Sequence, residues 1–466
     1  MRNRVHTCEG SVREGGNTCV SFPMRPASSG RERSVWVNAA FLCVLLCFVA
    51  AEATAQNLPA SPAPAQSVPA PPPVPGGAPP LTMQQAVDLA RSQNPTILAA
   101  QQNLLSVKAQ ELQAGVRQNP YLGLSGANLT EPDSNGNPYA VGVGVGRLFE
   151  RGQKRRWRLD SARATTVQTD DQLQLTIQQT ILAVRQAFTN FIVAKAAKKL
   201  ADDNLADYRR ELSISNDRYK AGDIAKLDFE RLDLQLAQFE SDESNAITAA
   251  QQASDQLQVL LGIDKPRTDF DVTGDVVPPP INFTMEQLEQ KGLDSRPDYK
   301  AAQAAVAVAD ADVKLAYANG TADPTAELDY NRNGVDNSFG FNFNIPIRIF
   351  DRNQGNKKTA EFTAQANRFT VTAARNQVVS DVDQAYSGYF NSKLLADRYN
   401  GHYLDEAKDV LDIAKFSYDH GGLALIDYLD ALRESRTVTS DALNAYQQTW
   451  LAIHQLSFVT ATDIVP

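Results

Sequence analysis

From residue 154 to residue 219 the chain carries neither proline nor glycine, and its apolar side chains recur every three or four positions. Leu173, Ile177, Ile181, Val184, Phe188 and Phe191 form one such stripe, the spacing of a helix packed along a coiled-coil-like seam. Roughly 66 residues at about 1.5 Å each predict a rod near 100 Å long. The same region of the second half runs from about Lys357 to Tyr418. A return helix over about Ala225 to Leu261 covers only some 55 Å, and one of about 22 residues from Pro297 to Asn319 adds around 33 Å. One long descending rod thus matches two stacked ascending pieces.

Elsewhere the period changes to two. Phe339, Phe341, Phe343 and Ile345 alternate with Gly340, Asn342, Asn344 and Pro346, and Ala326, Leu328 and Tyr330 with Glu327, Asp329 and Asn331. Val141, Val143 and Val145 alternate with Gly142, Gly144 and Gly146. Alternation of this kind predicts strands with one apolar and one polar face. The Gly-x-Gly-x-Gly run has the look of a nucleotide loop, but no apolar helix follows it, and strand is the better reading.

The pattern is written twice, at an offset of about 200 residues. Thr82-Met83-Gln84-Gln85 recurs as Thr284-Met285-Glu286-Gln287, and Asn94-Pro95 as Arg296-Pro297. Arg147-Leu148-Phe149-Glu150-Arg151-Gly152-Gln153 returns as Arg348-Ile349-Phe350-Asp351-Arg352-Asn353-Gln354, and Tyr219, Gly222, Asp228 and Phe229 as Tyr418, Gly421, Asp427 and Tyr428. Four matches in one order point to a tandem duplication. Each copy reads short helix, helix, two strands, very long helix, turn, helix. The break between copies is Pro278-Pro279-Pro280, giving a first repeat over 81–280 and a second over 281–466.

Composition changes the picture at the N-terminus. Arg31 and Arg33 precede an apolar run from about Val35 to Ala51 that ends in Ala53-Thr54-Ala55, the three parts of a secretory signal peptide over 1–55. Met24 is the more conventional start. The alternative is an uncleaved anchor, for which the apolar run is short. Residues 59–80 hold ten prolines among Ala, Ser and Gly, so 56–80 reads as an extended tether. All four cysteines precede the cleavage site, which leaves no thiol chemistry in the mature chain. The mature chain keeps 39 basic against 50 acidic residues, and such an acidic balance with dispersed lysines offers no footprint for nucleic acid. Mean hydropathy of −0.34 excludes a bundle of transmembrane helices.

Four strands cannot close a barrel, whereas an exported chain with alternating strands points to the outer membrane, where edges must be paired. Three chains would supply twelve strands. A soluble sheet packed on the helices is the alternative, against which the Glu, Asp and Asn faces suit a watery lumen. No catalytic or cofactor constellation is present. His402, His420 and His454 have no metal-site spacing; His454 sits in an apolar helical stretch and reads as core, and His420 as a surface turn residue.

The duplicated plan, with a Tyr-x-x-Gly…Asp-x-Leu-Asp-Ala turn after the long helix, resembles the TolC-type outer-membrane efflux proteins. Here that turn is Tyr418-Asp419-His420-Gly421-Gly422-Leu423-Ala424-Leu425-Ile426-Asp427-Tyr428-Leu429-Asp430-Ala431, and the resemblance covers about residues 81–463. One further motif, Ile345-Pro346-Ile347-Arg348-Ile349-Phe350-Asp351-Arg352-Asn353-Gln354-Gly355, is similar to the strand-to-helix junction of the cobalt–zinc–cadmium branch. The resemblance implies a mainly α fold with a small β part: a homotrimer whose strands form one twelve-stranded membrane barrel on a periplasmic α-helical tunnel. It implies a passive exit duct, with a periplasmic adaptor and an inner-membrane proton-driven transporter of the RND type as partners. Its cargo would be divalent heavy-metal cations, with organic compounds as the rival. A periplasmic coiled-coil adaptor is the alternative outside the channels, but lacks its lipoyl-like module here; a secreted enzyme lacks any site.

Several residues carry expectations. Phe339, Phe341 and Phe343 should face lipid, with Asn342 and Asn344 on the watery side. Gly222 and Gly421 should mark the adaptor-contacting tips. By resemblance, Tyr418 should hydrogen-bond Asp228 as a gating link, with Leu423 standing near the place of the arginine usual there. Asp427 and Asp430, three apart on one helix, should ring the pore constriction, with Ile426, Leu429 and Leu432 turned toward neighbouring helices.

Overall fold

The structure is a computed structural model and describes residues 80–127 and 139–465. The expected leader (1–55) and the tether up to residue 79 lie outside the described residues. The element order is α1 (Met83–Gln93), α2 (Pro95–Ala114), β1 (Tyr121–Ala127), β2 (Ala140–Leu148), α3 (Lys154–Ala221) and α4 (Lys226–Leu260). It continues with α5 (Met285–Ser295), α6 (Pro297–Asn319), β3 (Thr325–Asn333), β4 (Asp336–Asn344), α7 (Gln354–Arg398), a π-helical turn (Tyr399–Tyr403), α8 (Leu404–Asp419) and α9 (Leu425–Val459).

Local chemistry explains the helix boundaries. Thr82 and Thr284 each open a helix through a capping box, closed by Gln85 and Gln287. Asn94 accepts from the Thr96 N–H at 2.9 Å and donates through Nδ2 to the Leu260 carbonyl at 2.7 Å, so one side chain starts α2 and ends α4. Pro95 and Pro297 stand in the first turns of α2 and α6, where the missing N–H is not needed. The long helices stop at Gly222 and Gly421, with φ of +87° and +73°. A Cβ at either glycine would meet nothing within 4 Å, so the left-handed backbone alone makes glycine the favoured residue.

α3 runs unbroken for 68 residues. It packs along its length against α1, α2, α4, α6 and α9. The seam expected on it is buried, from Leu173 to Phe191, with Ile177 half-buried; Val184 and Phe188 anchor a core with Ala86, Val87, Ala90, Leu257 and Leu261. Leu288, Val382, Tyr389, Ile453 and Leu456 form the corresponding core of the second half. Its rod is interrupted where the sequence predicts continuity. Around Asn400-Gly401 a π turn widens the helix, beside small Ala442 and Ala445 and near Tyr446, whose Oη donates to Asn400.

His454 is buried as expected. Its Nε2 lies 2.8 Å from the Thr189 hydroxyl, and burial, reinforced by the Arg185 charge, pushes the imidazole down to about 3. The neutral ring therefore stabilises the fold above about pH 6.5, and that contribution is lost as pH falls from there toward about 3. His454→Gln is expected to flatten this part of the pH profile, which in the parent falls by roughly 1 kcal/mol per pH unit. Thermal unfolding between pH 7 and pH 4.5 measures it, and equal slopes in both proteins would contradict the assignment.

The strands form one antiparallel sheet in the order β1-β2-β3-β4. Pairing sets Leu124, Val143, Tyr330 and Phe339 in one row, and Leu122, Val145, Leu328 and Phe341 in the next. The apolar side chains in these rows thus lie on one continuous face, exposed in the chain taken alone, while Tyr121 and Leu148 fall on the other. The opposite face is polar and partly filled. A Cβ at Gly142 would stand 2.3 Å from Asn331 Oδ1, and one at Gly144 2.4 Å from Asp329 Oδ1. Glycine in β2 makes room for the polar side chains of β3 to lie across it. The Gly-x-Gly-x-Gly run is therefore a packing device of the sheet.

Candidate functional site

The tips of the two long hairpins meet. Gly222 N–H bonds to the Tyr219 carbonyl and Asp223 N–H to that of Arg218; Gly421 and Gly422 repeat this with Tyr418 and Ser417. Both turns are Schellman-type endings of the long helices. Each places an aromatic of the descending helix on one of the return helix. Tyr219 stacks on Phe229 at 5.3 Å, and Tyr418 on Tyr428 at 5.2 Å.

The second pair sits in a core shared by both halves. Tyr418, Leu425, Tyr428 and Leu429 pack with Leu205, Tyr208, Leu232 and Phe239. Tyr208 Oη donates to the Leu232 carbonyl at 2.8 Å, tying the descending helix to its return. Glu211, buried, pairs with Lys415 at 3.2 Å across the halves.

The expected hydrogen bond from Tyr418 to Asp228 is not formed. Tyr418 Oη is buried without any hydrogen-bond partner, and its ring lies flat on Tyr428. The Arg218 guanidinium stands over the Tyr418 ring, 5.4 Å from its centre, and 3.9 Å from Asp419. Leu423, near the place of the expected arginine, packs against the aromatic core. Sequence reasoning missed Arg218. Its one signal was a basic residue in the last turn before Gly222, a common place for a cation with no further role.

An unpartnered buried hydroxyl is costly, so Tyr418→Phe is expected to stabilise the tip by about 1 kcal/mol. Tyr418→Ala, which removes the stacked ring, is expected to cost about 3 kcal/mol. Amide hydrogen exchange over residues 205–232 and 411–432 measures both. Faster exchange in Tyr418→Phe would show that the hydroxyl has a bonding role.

Asp427 and Asp430 are both exposed on α9 next to the tip. Asp430 pairs with Arg433 at 2.9 Å, and Asp427 forms no ion pair among the described residues. The face that α9 buries carries Leu425, Tyr428 and Leu429. Ile426, expected to face neighbouring helices, is 51% exposed in the chain taken alone, since it lies a full 100° step from Leu425 on the helix wheel. Its exposed neighbours are the two aspartates. His420, exposed at the same tip, is held by its Nδ1 to the Phe416 carbonyl at 2.8 Å.

At the other end of the rods, Phe339, Phe341 and Phe343 share the apolar face of β4. Asn342 is on the polar face, donating through Nδ2 to Asp329 Oδ2 at 2.5 Å. Among the described residues no helix is long and apolar enough to cross a membrane.

Known proteins share this plan. The family model described as outer membrane efflux protein matches residues 86–263 and 288–462. The cobalt-zinc-cadmium resistance protein CzcC of Cupriavidus metallidurans is 26% identical over 356 residues, 76% of this chain and 84% of that protein. Outer membrane protein TolC of Vibrio cholerae is 24% identical over 331 residues, 68% of this chain and 75% of that one. A solved structure of CusC has a TM-score of 0.69 over 81% of this chain and 91% of its own, at 18% identity. With a family match over most of the described residues, on two long-helix hairpins joined to a four-stranded sheet, the chain belongs to the TolC-type family of outer membrane efflux proteins.

Proposed function

We propose that three copies of the chain assemble into the exit duct of a tripartite, proton-driven efflux system and conduct divalent heavy-metal cations from periplasm to outside. The observation that carries this reading is the sheet. Its outer strands β1 and β4 have open edges among the described residues, and its apolar face is uncovered. In water such a face would be an aggregation hazard, and open edges cannot lie in lipid. Three sheets joined edge to edge remove both problems, giving twelve strands with the apolar face toward lipid and the Asp, Glu and Asn face toward a water-filled lumen. The long hairpins would then line a periplasmic tunnel, with Gly222 and Gly421 at the tips that meet a periplasmic adaptor and, through it, an RND-type transporter. Conduction is passive and needs no catalytic group.

Metal cations are the proposed cargo because the metal-resistance protein CzcC is similar over three quarters of the chain. The acidic lumen face and the exposed aspartates at the tip suit cations as well. Deletion of the gene tests both levels. Loss of tolerance to cobalt, zinc and cadmium is expected, restored by the wild-type chain. Unchanged metal tolerance with a lost tolerance to organic toxicants would reassign the cargo. Absence of a heat-modifiable trimer from unboiled outer-membrane extracts would overturn the duct itself.

A further inference from the structure

The two strand-to-helix junctions leave the sheet at the same end, because Leu148, Thr325 and Asn344 fall in one row of the ladder. Residues 147–158 carry six basic side chains against one acidic, and residues 348–358 four against one, in a chain of formal net charge −9. Cationic charge is therefore concentrated at one level of an acidic molecule. Part of it is structural. Lys154 is buried against Asp323 at 2.6 Å, Arg158 pairs with Glu150 at 2.8 Å, and Lys358 with Glu361 at 2.7 Å. Arg151, Arg155, Arg348 and Arg352 have no such use: none has a carboxylate partner among the described residues, and all but the half-buried Arg348 are exposed.

These arginines adjoin an apolar border. Past the end of β4 at Asn344 the chain goes on with the exposed apolar residues Ile345, Ile347, Ile349 and Phe350, of which Ile347 is 83% and Phe350 90% exposed. Arg348 lies inside that run and Arg352 two residues past it. In the first half Phe149 is exposed with Arg147 above its ring at 5.5 Å. Acyl-facing strand, then large apolar side chains, then unpaired guanidiniums is the order in which a chain meets hydrocarbon, interface and phosphate.

We propose that this level of the molecule is a collar that binds anionic glycerophospholipids of the membrane leaflet nearest the tunnel. The guanidiniums would chelate the lipid phosphate through paired N–H donors, while Ile347, Ile349 and Phe350 rest on its acyl chains. A free phosphate would use the arginines but not the apolar border, so the ligand is a lipid. The inference rests on the outer-membrane reading above, and would give the channel a fixed depth and register in an asymmetric bilayer.

Native mass spectrometry of the full mature protein tests it, in detergent doped with equal amounts of phosphatidylglycerol and phosphatidylethanolamine. The wild type is expected to retain phosphatidylglycerol with about 25-fold preference, from two arginines per lipid at roughly fivefold each. Arg151→Gln/Arg155→Gln/Arg348→Gln/Arg352→Gln should fall toward parity with its trimer mass and conductance unchanged. Arg209→Gln/Arg210→Gln, altered on the helical rod, should keep the preference. Equal retention of the two lipids by the wild type, or an undiminished preference in the fourfold variant, overturns the collar. So does a variant that loses its trimer while keeping its preference, since the arginines then serve subunit pairing. A wild type that forms no conducting trimer would instead overturn the channel reading.

Discussion

Phe341→Arg is expected to remove the protein from the outer membrane, whereas Asn342→Arg, one residue away, should assemble nearly as well as the parent. The contrast follows from the register. Phe341 shares a row with Leu328, Val145 and Leu122, and Asn342 a row with Glu327 and Gly146. An arginine on the lipid side of a barrel costs roughly 2–4 kcal/mol near the midplane. Incurred once in each of three chains, the cost approaches the roughly 5–15 kcal/mol by which whole domains are stable. An arginine at 342 would instead point among Asp329 and Glu327 and find carboxylates there. Heat-modifiable trimer in the membrane fraction is the measurement. Equal amounts from the two variants would mean that the faces are reversed or that the sheet never meets lipid.

The second large effect is expected at the tip. A trivalent cation added from the periplasmic side should block the wild-type pore, and Asp427→Ala should relieve that block by about 30-fold or more. A trivalent ion at ~5 Å from a carboxylate gains roughly 2 kcal/mol even at the dielectric of water, and three copies act together. Asp430→Ala alone should do less, because Arg433 already neutralises Asp430 at 2.9 Å. The first half supplies little to such a ring: Asp228 is half-buried, and Glu230 pairs with Lys226 at 3.1 Å. Undiminished block in the double Asp427→Ala/Asp430→Ala variant would place the constriction elsewhere.

Periodicity carried most of the fold into view, and its failures share a cause. A run of 66 residues free of glycine and proline has little choice but helix, and the alternation from Phe339 to Phe343 marks a strand, which ends at Asn344, before Ile345 and Pro346. Helix phase was less legible. Ile426 and Leu425 are equally apolar, and only the start of α9 at Leu425 decides which of them is buried. Contacts between the two halves were not legible at all. Arg218 over Tyr418 and Glu211 with Lys415 join residues about 200 positions apart, and no local pattern announces such a pair. The Tyr418–Asp228 bond was expected from resemblance, which transfers the residues but not the side-chain geometry. The π turn had a faint signal in Asn400-Gly401, yet other glycines such as Gly388 sit in undisturbed helix.

The claim that the chain is a passive, cation-preferring duct is tested most directly by recording from the purified mature protein in a planar lipid bilayer under a salt gradient. Discrete conductance steps are expected, with a reversal potential displaced toward that of the cation and a smaller displacement in Asp427→Ala. A protein that inserts as a trimer yet gives no steps, or steps that favour anions, would contradict the account.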